Sequence, residues 1–189
     1  DPGVARKIAE CSDELRRRVQ GHAPRARVSW VPADRLHVTL RFIGEAGEAQ
    51  AENIASSLAP ALKVDPFDAV FDGVGAFPER GAPRVFWAGI TAGLDSFSAL
   101  EQEVTARLAS CGVAAEERPY RPHVTMARVR EAAGLRTRTL LDGLVDRRFG
   151  TSAVEAITLF QSRPSPRGSV YVPLQSTHLR TAIDERRDT

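Results

Sequence analysis

The chain has little cysteine, little net charge and no long hydrophobic run, and each shortage excludes a class of protein. Only Cys11 and Cys111 occur among 189 residues, with no CxxC between or around them. That leaves neither a disulfide framework nor a cysteine metal site, so buried free thiols on apolar helix faces are expected. Lys and Arg number 26 against 24 acids, and a net charge of +2 provides no broad basic field for long duplex nucleic acid, although a small anionic substrate stays open. No apolar run approaches the ~20 residues of a membrane span. The opening DPGVARKIAE also lacks the charged-then-apolar layout of a secretion signal. A cytoplasmic protein with no membrane partner is expected. With 42% hydrophobic and 26% charged residues, the composition fits one globular domain rather than a disordered chain.

Helical stripes run through Val4, Ile8, Cys11, Leu15 and Val19, behind an Asp-Pro start, and through Phe97, Leu100, Val104, Leu108 and Cys111, ending at Gly112. Strands are expected at 35–43, 67–75, 84–90, 122–129, 153–160 and 169–176, and further helices at 46–62 and 131–148. His37 and His123 are 86 residues apart. The same offset carries 67–75 onto 153–161 and 84–90 onto 170–176, so the chain reads as an internal repeat. This predicts an α+β domain over 1–189 made of two pseudo-symmetric lobes, about 1–90 and 91–176. Antiparallel sheets would line a central cleft, with helices outside. The strand at 84–90 precedes the second-half helix, and nothing stands in the matching place before the first. With no initiating Met, an N-terminal strand absent from this sequence is expected.

The chemistry lies in the two HVT triplets. Strand alternation puts His37, Thr39 and Arg41 on one face and Leu36, Val38, Leu40 and Phe42 on the other, the core face. His123 and Thr125 repeat the pattern opposite Val124 and Met126. A lone His-apolar-Thr is most often a structural strand, but two among four histidines, at corresponding points of a repeat, point to function. A neutral imidazole takes a proton from water and a charged one gives a proton to a leaving oxygen, while a threonine hydroxyl binds a phosphoryl oxygen. This suggests metal-free attack on phosphorus. No HxH, HxD or clustered carboxylate accompanies the histidines, which argues against a metal phosphoesterase.

HVTL at 37–40 and HVTM at 123–126, with RFIGE after the first and RPYRP before the second, resemble the two-histidine (2H) phosphoesterases. Within that superfamily they look most like the bacterial and archaeal RNA 2′,3′-cyclic phosphodiesterases, formerly named 2′-5′ RNA ligases. The segment GVGAFPERGAPRVFWAGI at 73–90 extends the resemblance over nearly the whole chain. It implies hydrolysis of RNA or nucleotide 2′,3′-cyclic phosphate ends to a 2′-phosphate, with O3′ as the leaving group; with the metal-free chemistry read from the residues, no cofactor and a monomer are expected. His123 would be the base and His37 the acid, although the near-symmetric motifs do not themselves order these roles. Thr39 and Thr125 would bind the phosphate. A nucleotide-binding module without catalysis and 2′-5′ ligation at the same site are the alternatives.

Arg41 is a candidate phosphate contact, with a solvated strand-end arginine as the competing reading. Arg121 and Arg128 bracket the second motif and stay outside the expected site. Trp87 is expected in the core and Tyr120 and Phe77 are left open between core and base stacking, as Trp30 is a stacking candidate too. His22, in the turn GHAP, and His178 are expected to be solvated or locally hydrogen bonded.

Overall fold

A computed structural model describes residues 1–165 and 168–180. In chain order the elements are α1 (Pro2–His22), β1 (Arg27–Trp30), a 3-10 turn (Ala33–Arg35), α2 (Glu48–Leu58), β2 (Phe67–Phe77) and β3 (Val85–Ala92). Next come α3 (Leu94–Ala109), β4 (Val124–Glu131), α4 (Thr137–Leu141), β5 (Arg148–Val154), β6 (Ala156–Ser165) and β7 (Gly168–His178). The fold class is α+β with antiparallel sheets. Among the described residues no helix is long and apolar enough to cross a membrane.

Two compact units are present, each built from three stretches of chain. One combines Asp1–Thr39, Asp68–Leu94 and Arg121–Ala153, and the other Leu40–Phe67, Asp95–Tyr120 and the chain from Val154. The units therefore interleave, and the lobes drawn at 1–90 and 91–176 do not coincide with them.

The first unit holds a five-stranded sheet in the order β1-β4-β3-β2-β5. Helix α1 opens on Asp1, whose carboxylate accepts from the backbone N–H of Gly3 at 2.7 Å and of Val4 at 3.0 Å, satisfying two of the helix's orphan donors. Its stripe of Val4, Ile8, Cys11, Leu15 and Val19 is buried, and each large side chain there contributes about 1.5–3 kcal/mol of hydrophobic stabilisation. Phe86, Ala88, Val124, Met126 and Phe149 are buried on the sheet's core face. In the second unit β6 pairs with β7, and a cluster of Ile54, Leu58, Leu62, Leu100, Val104, Leu108 and Leu179 forms the core. Thr177 is buried there and donates its hydroxyl to the Leu58 carbonyl at 2.7 Å. Arg107 donates to the Pro60 and Ala61 carbonyls at 2.6 and 2.8 Å, so α3 holds the chain leaving α2.

Both helical stripes, the helix within 46–62 and the strands at 67–75, 84–90, 122–129 and 169–176 stand where the sequence puts them. Gly112, at φ 78°, takes the left-handed position beyond α3. Both cysteines are free, Cys11 buried and Cys111 partly so. Three expectations are corrected. The run 35–43 is no strand: only Val38 bridges, to Val124. β1 already occupies that edge of β4, with Trp30 paired to Ala127, and the 3-10 turn interrupts the line before Val38 rejoins it. Without a ladder the alternation fails too, since Leu40 and Ile43 both pack on the second unit's core while Phe42 is 63% exposed. The helix in 131–148 shrinks to the short α4, with Gly143 left-handed just beyond it at φ 69°. The strand expected at 153–160 divides at Glu155, its start ending β5 and its remainder forming β6.

Candidate active site

All six residues of the two HVT triplets lie in the first unit, and one contact organises them. Val38 bridges Val124 in antiparallel sense, so the pair consists of the middle residues of the two repeated triplets. In the antiparallel sense of that bridge, His37 precedes it on one segment where Thr125 follows it on the other, and Thr39 and His123 are related in the same way. Val124 turns into the core, so its sequence neighbours His123 and Thr125 point to the opposite face, and the charge of His37 reaches His123 across the bridge.

Both rings are anchored alike. His37 Nδ1 lies 2.8 Å from the Arg35 carbonyl and His123 Nδ1 2.7 Å from the Arg121 carbonyl. A carbonyl only accepts, so Nδ1–H donates in each, which fixes the tautomer of a neutral ring as the one with Nε2 unprotonated. The surroundings differ. His37 is exposed, whereas His123 is part buried, with the Phe77 ring edge-on at 5.2 Å between centroids. Burial lowers the His123 pKa below the ordinary imidazole value, the Arg121 carbonyl opposes that, and the charges of Arg128 and His37 add to the lowering.

Arg128 is the residue that sequence reasoning left out. Strict alternation from His123 sends it to the core side. Phe86 pairs with Ala127 and Trp87 with Thr125, which leaves Met126 as an extra residue in β4. This bulge turns Met126 and Ala127 both inward and brings Arg128, opposite Val85, onto the face of Thr125 and Trp87. The signal available in the sequence was the apolar pair Met126-Ala127, where alternation calls for one outward residue.

The other candidates take varied places. The Arg41 side chain is 6% exposed, which overturns the solvated reading; it lies in the second unit, donates Nη2 to the Ala114 carbonyl and faces Glu116 at 3.6 Å. Its Nε and Nη1 are buried without a hydrogen-bond partner among the described residues. Arg121 pairs with Glu79 at 3.1 Å at the surface. Trp87, expected in the core, instead stands on the face of Thr125, its indole lying across Gly75 and 5.2 Å from the Phe77 ring. Trp30 sits under the Arg16 guanidinium at 5.3 Å. The Tyr120 hydroxyl is buried without a described partner, and burial, then the Glu101 carboxylate, push its pKa well up. His22 closes α1 with Nδ1 2.9 Å from the Arg18 carbonyl, and His178 is exposed at the end of β7. No cluster of three or more His, Cys, Asp or Glu suited to a metal ion occurs among the described residues.

The sequence profile of the 2′-5′ RNA ligase superfamily matches residues 5–164. The chain belongs to this superfamily. Among curated members, an RNA 2′,3′-cyclic phosphodiesterase of Aeropyrum pernix is 36% identical over 145 residues, covering 76% of this chain and 82% of the relative. Two solved structures are also similar. TT0787 of Thermus thermophilus superposes with a TM-score of 0.67 at 28% identity, and LigT of Escherichia coli complexed with 3′-AMP with a TM-score of 0.67 at 25% identity. Each comparison covers 92% of this chain and 93% of the other. The resemblance to the two-histidine phosphoesterases, first visible in HVTL and HVTM, is thereby shown.

Proposed function

We propose that this chain is a cyclic phosphodiesterase that opens RNA or nucleotide 2′,3′-cyclic phosphate ends to the 2′-phosphate, using its two histidines and no metal. The observation that carries the reading is the antiparallel Val38–Val124 bridge, which brings the two HVT triplets side by side. The names of the A. pernix relative and of the LigT complex with 3′-AMP supply the substrate class.

His123 Nε2 takes a proton from water as the water oxygen forms its bond to phosphorus. The bond from phosphorus to O3′ breaks, and O3′ receives the proton on His37 Nε2. The product is a 2′-phosphate with a free 3′-hydroxyl, and proton exchange with solvent returns both rings to their starting states. The lowered pKa of His123 suits the base, since a ring that resists charging is neutral when water arrives. Thr39 and Thr125 donate to the non-bridging oxygens, and Arg128 adds a charge-assisted contact as negative charge builds in the transition state.

The test is incubation with a nucleoside 2′,3′-cyclic phosphate in EDTA, resolving the product isomers by chromatography, beside a His37→Ala/His123→Ala control. A 2′-phosphate formed only by the parent protein is expected. Binding without turnover would return the chain to the nucleotide-binding alternative.

A further inference from the structure

Phe77 lies outside both motifs, yet its ring meets the imidazole of His123 at 84° and 5.2 Å between centroids. Edge-on aromatic contacts of this kind hold both rings to one relative orientation. Phe77 is itself held by Trp87, whose ring lies 5.2 Å away, tilted by 36°. Trp87 reaches that place by lying over Gly75, its cross-strand partner. A Cβ on Gly75 would stand 2.1 Å from Cζ2 and 2.4 Å from Cη2 of the indole, so only glycine leaves room for it. Gly75 has no positive φ, so its need for glycine comes from the indole rather than from the backbone. Three residues on β2 and β3 thus form a brace that ends on the base proposed for catalysis.

We infer that Phe77 is a positioning residue for His123: braced by Trp87 over Gly75, its ring fixes the plane of the imidazole and closes one side of it to water. The inference rests on the reading of His123 as the general base. Its Nδ1 anchor to the Arg121 carbonyl leaves rotation about that hydrogen bond, and a ring packed against the imidazole removes it. The charged groups around His123 come from other directions. Arg128 lies along β4, His37 on the bridged segment across from it, and the Arg121–Glu79 ion pair at the approach to the strand. From β2 the uncharged Phe77 ring meets it, backed by Trp87 of β3. The exclusion of water on that side is therefore assigned to Phe77, and burial is the largest cause of the lowered His123 pKa.

The test follows the His123 ring by NMR across pH in the parent, Phe77→Ala, Phe77→Leu and Gly75→Ala proteins, with the pH profile of kcat/KM beside it. Phe77→Ala is expected to raise the His123 titration midpoint, move the acid limb upward with it and lower kcat on the order of 10-fold at little cost in KM. Phe77→Leu, which restores an apolar wall, returns the midpoint toward the parent. Gly75→Ala, which touches neither ring of the pair, shifts the midpoint in the same direction by displacing Trp87. An unmoved midpoint in folded Phe77→Ala overturns the inference. If that variant does not fold, an unmoved midpoint in Gly75→Ala overturns it instead. The NMR midpoint is read without turnover, so a parent protein that proves inactive counts against the cyclic phosphodiesterase reading and leaves the brace to be judged separately.

Discussion

His37 and His123 begin identical HVT triplets and make the same Nδ1 contact to the carbonyl two residues back, yet their settings diverge. His37 is exposed on a segment held to the sheet by one bridge. His123 is part buried at the head of β4, a strand with neighbours on both sides, and has Phe77 against its ring and Arg128 on its face. The comparison teaches that a motif supplies the groups and the surroundings divide the labour. One imidazole stays open to solvent, from which it can be recharged. The other has its pKa lowered by burial and by nearby positive charge, which favours the neutral form that a base needs.

The strongest way to break the comparison is to remove each ring in turn. His37→Ala and His123→Ala are each expected to lower kcat on the order of 10³-fold or more with the circular dichroism spectrum unchanged; a fully active single variant would end the pairing of roles. Arg128→Ala sharpens it, because Arg128 acts on the second motif's histidine. A lost charge-assisted contact costs about 1.5–3 kcal/mol of transition-state stabilisation, read from kcat/KM, with partial recovery in Arg128→Lys. The threonines are the symmetric part of the site. Thr39→Val and Thr125→Val are expected to cost about 1–3 kcal/mol each in kcat/KM, and a loss confined to one of them would show that the phosphate sits against a single motif.

The smallest effect is in the pH profile. Activity should fall on both sides of an optimum, since one ring must be neutral and the other charged. Desolvation and the charges of Arg128 and His37 lower the His123 pKa, so protonation of the base sets in at lower pH than for an ordinary imidazole. The acid limb of kcat/KM is thereby displaced downward. A limb that is not displaced downward would remove His123 as the base.

Much of this was legible in the residues, for local reasons. The stripe of Val4, Ile8, Cys11, Leu15 and Val19 names both a helix and its buried face, because 3.6-residue periodicity is a property of the chain alone. The 86-residue offset joins His37 to His123 before any contact is known, and the bridge pairs the very valines that it relates. The misplaced elements fail for a different reason. The run 35–43 has strand composition but no ladder partner beyond Val38, since β1 and the 3-10 turn occupy the edge of β4. Strand propensity describes fitness for a pleated, half-buried surface, and whether such a surface is on offer is a tertiary matter.

The sequence by itself determined which chemical groups are present, their spacing, and the faces of the helices and of the regular strands. Only the tertiary structure decided that the bulge at Met126 turns Arg128 outward, that Arg41 is buried against Ala114 and Glu116, and that Phe77 lies on His123. The physical reason is one of range. Periodicity acts between residues a few positions apart, whereas register, desolvation and the field at a titrating ring come from neighbours that are distant along the chain and close only once it has folded.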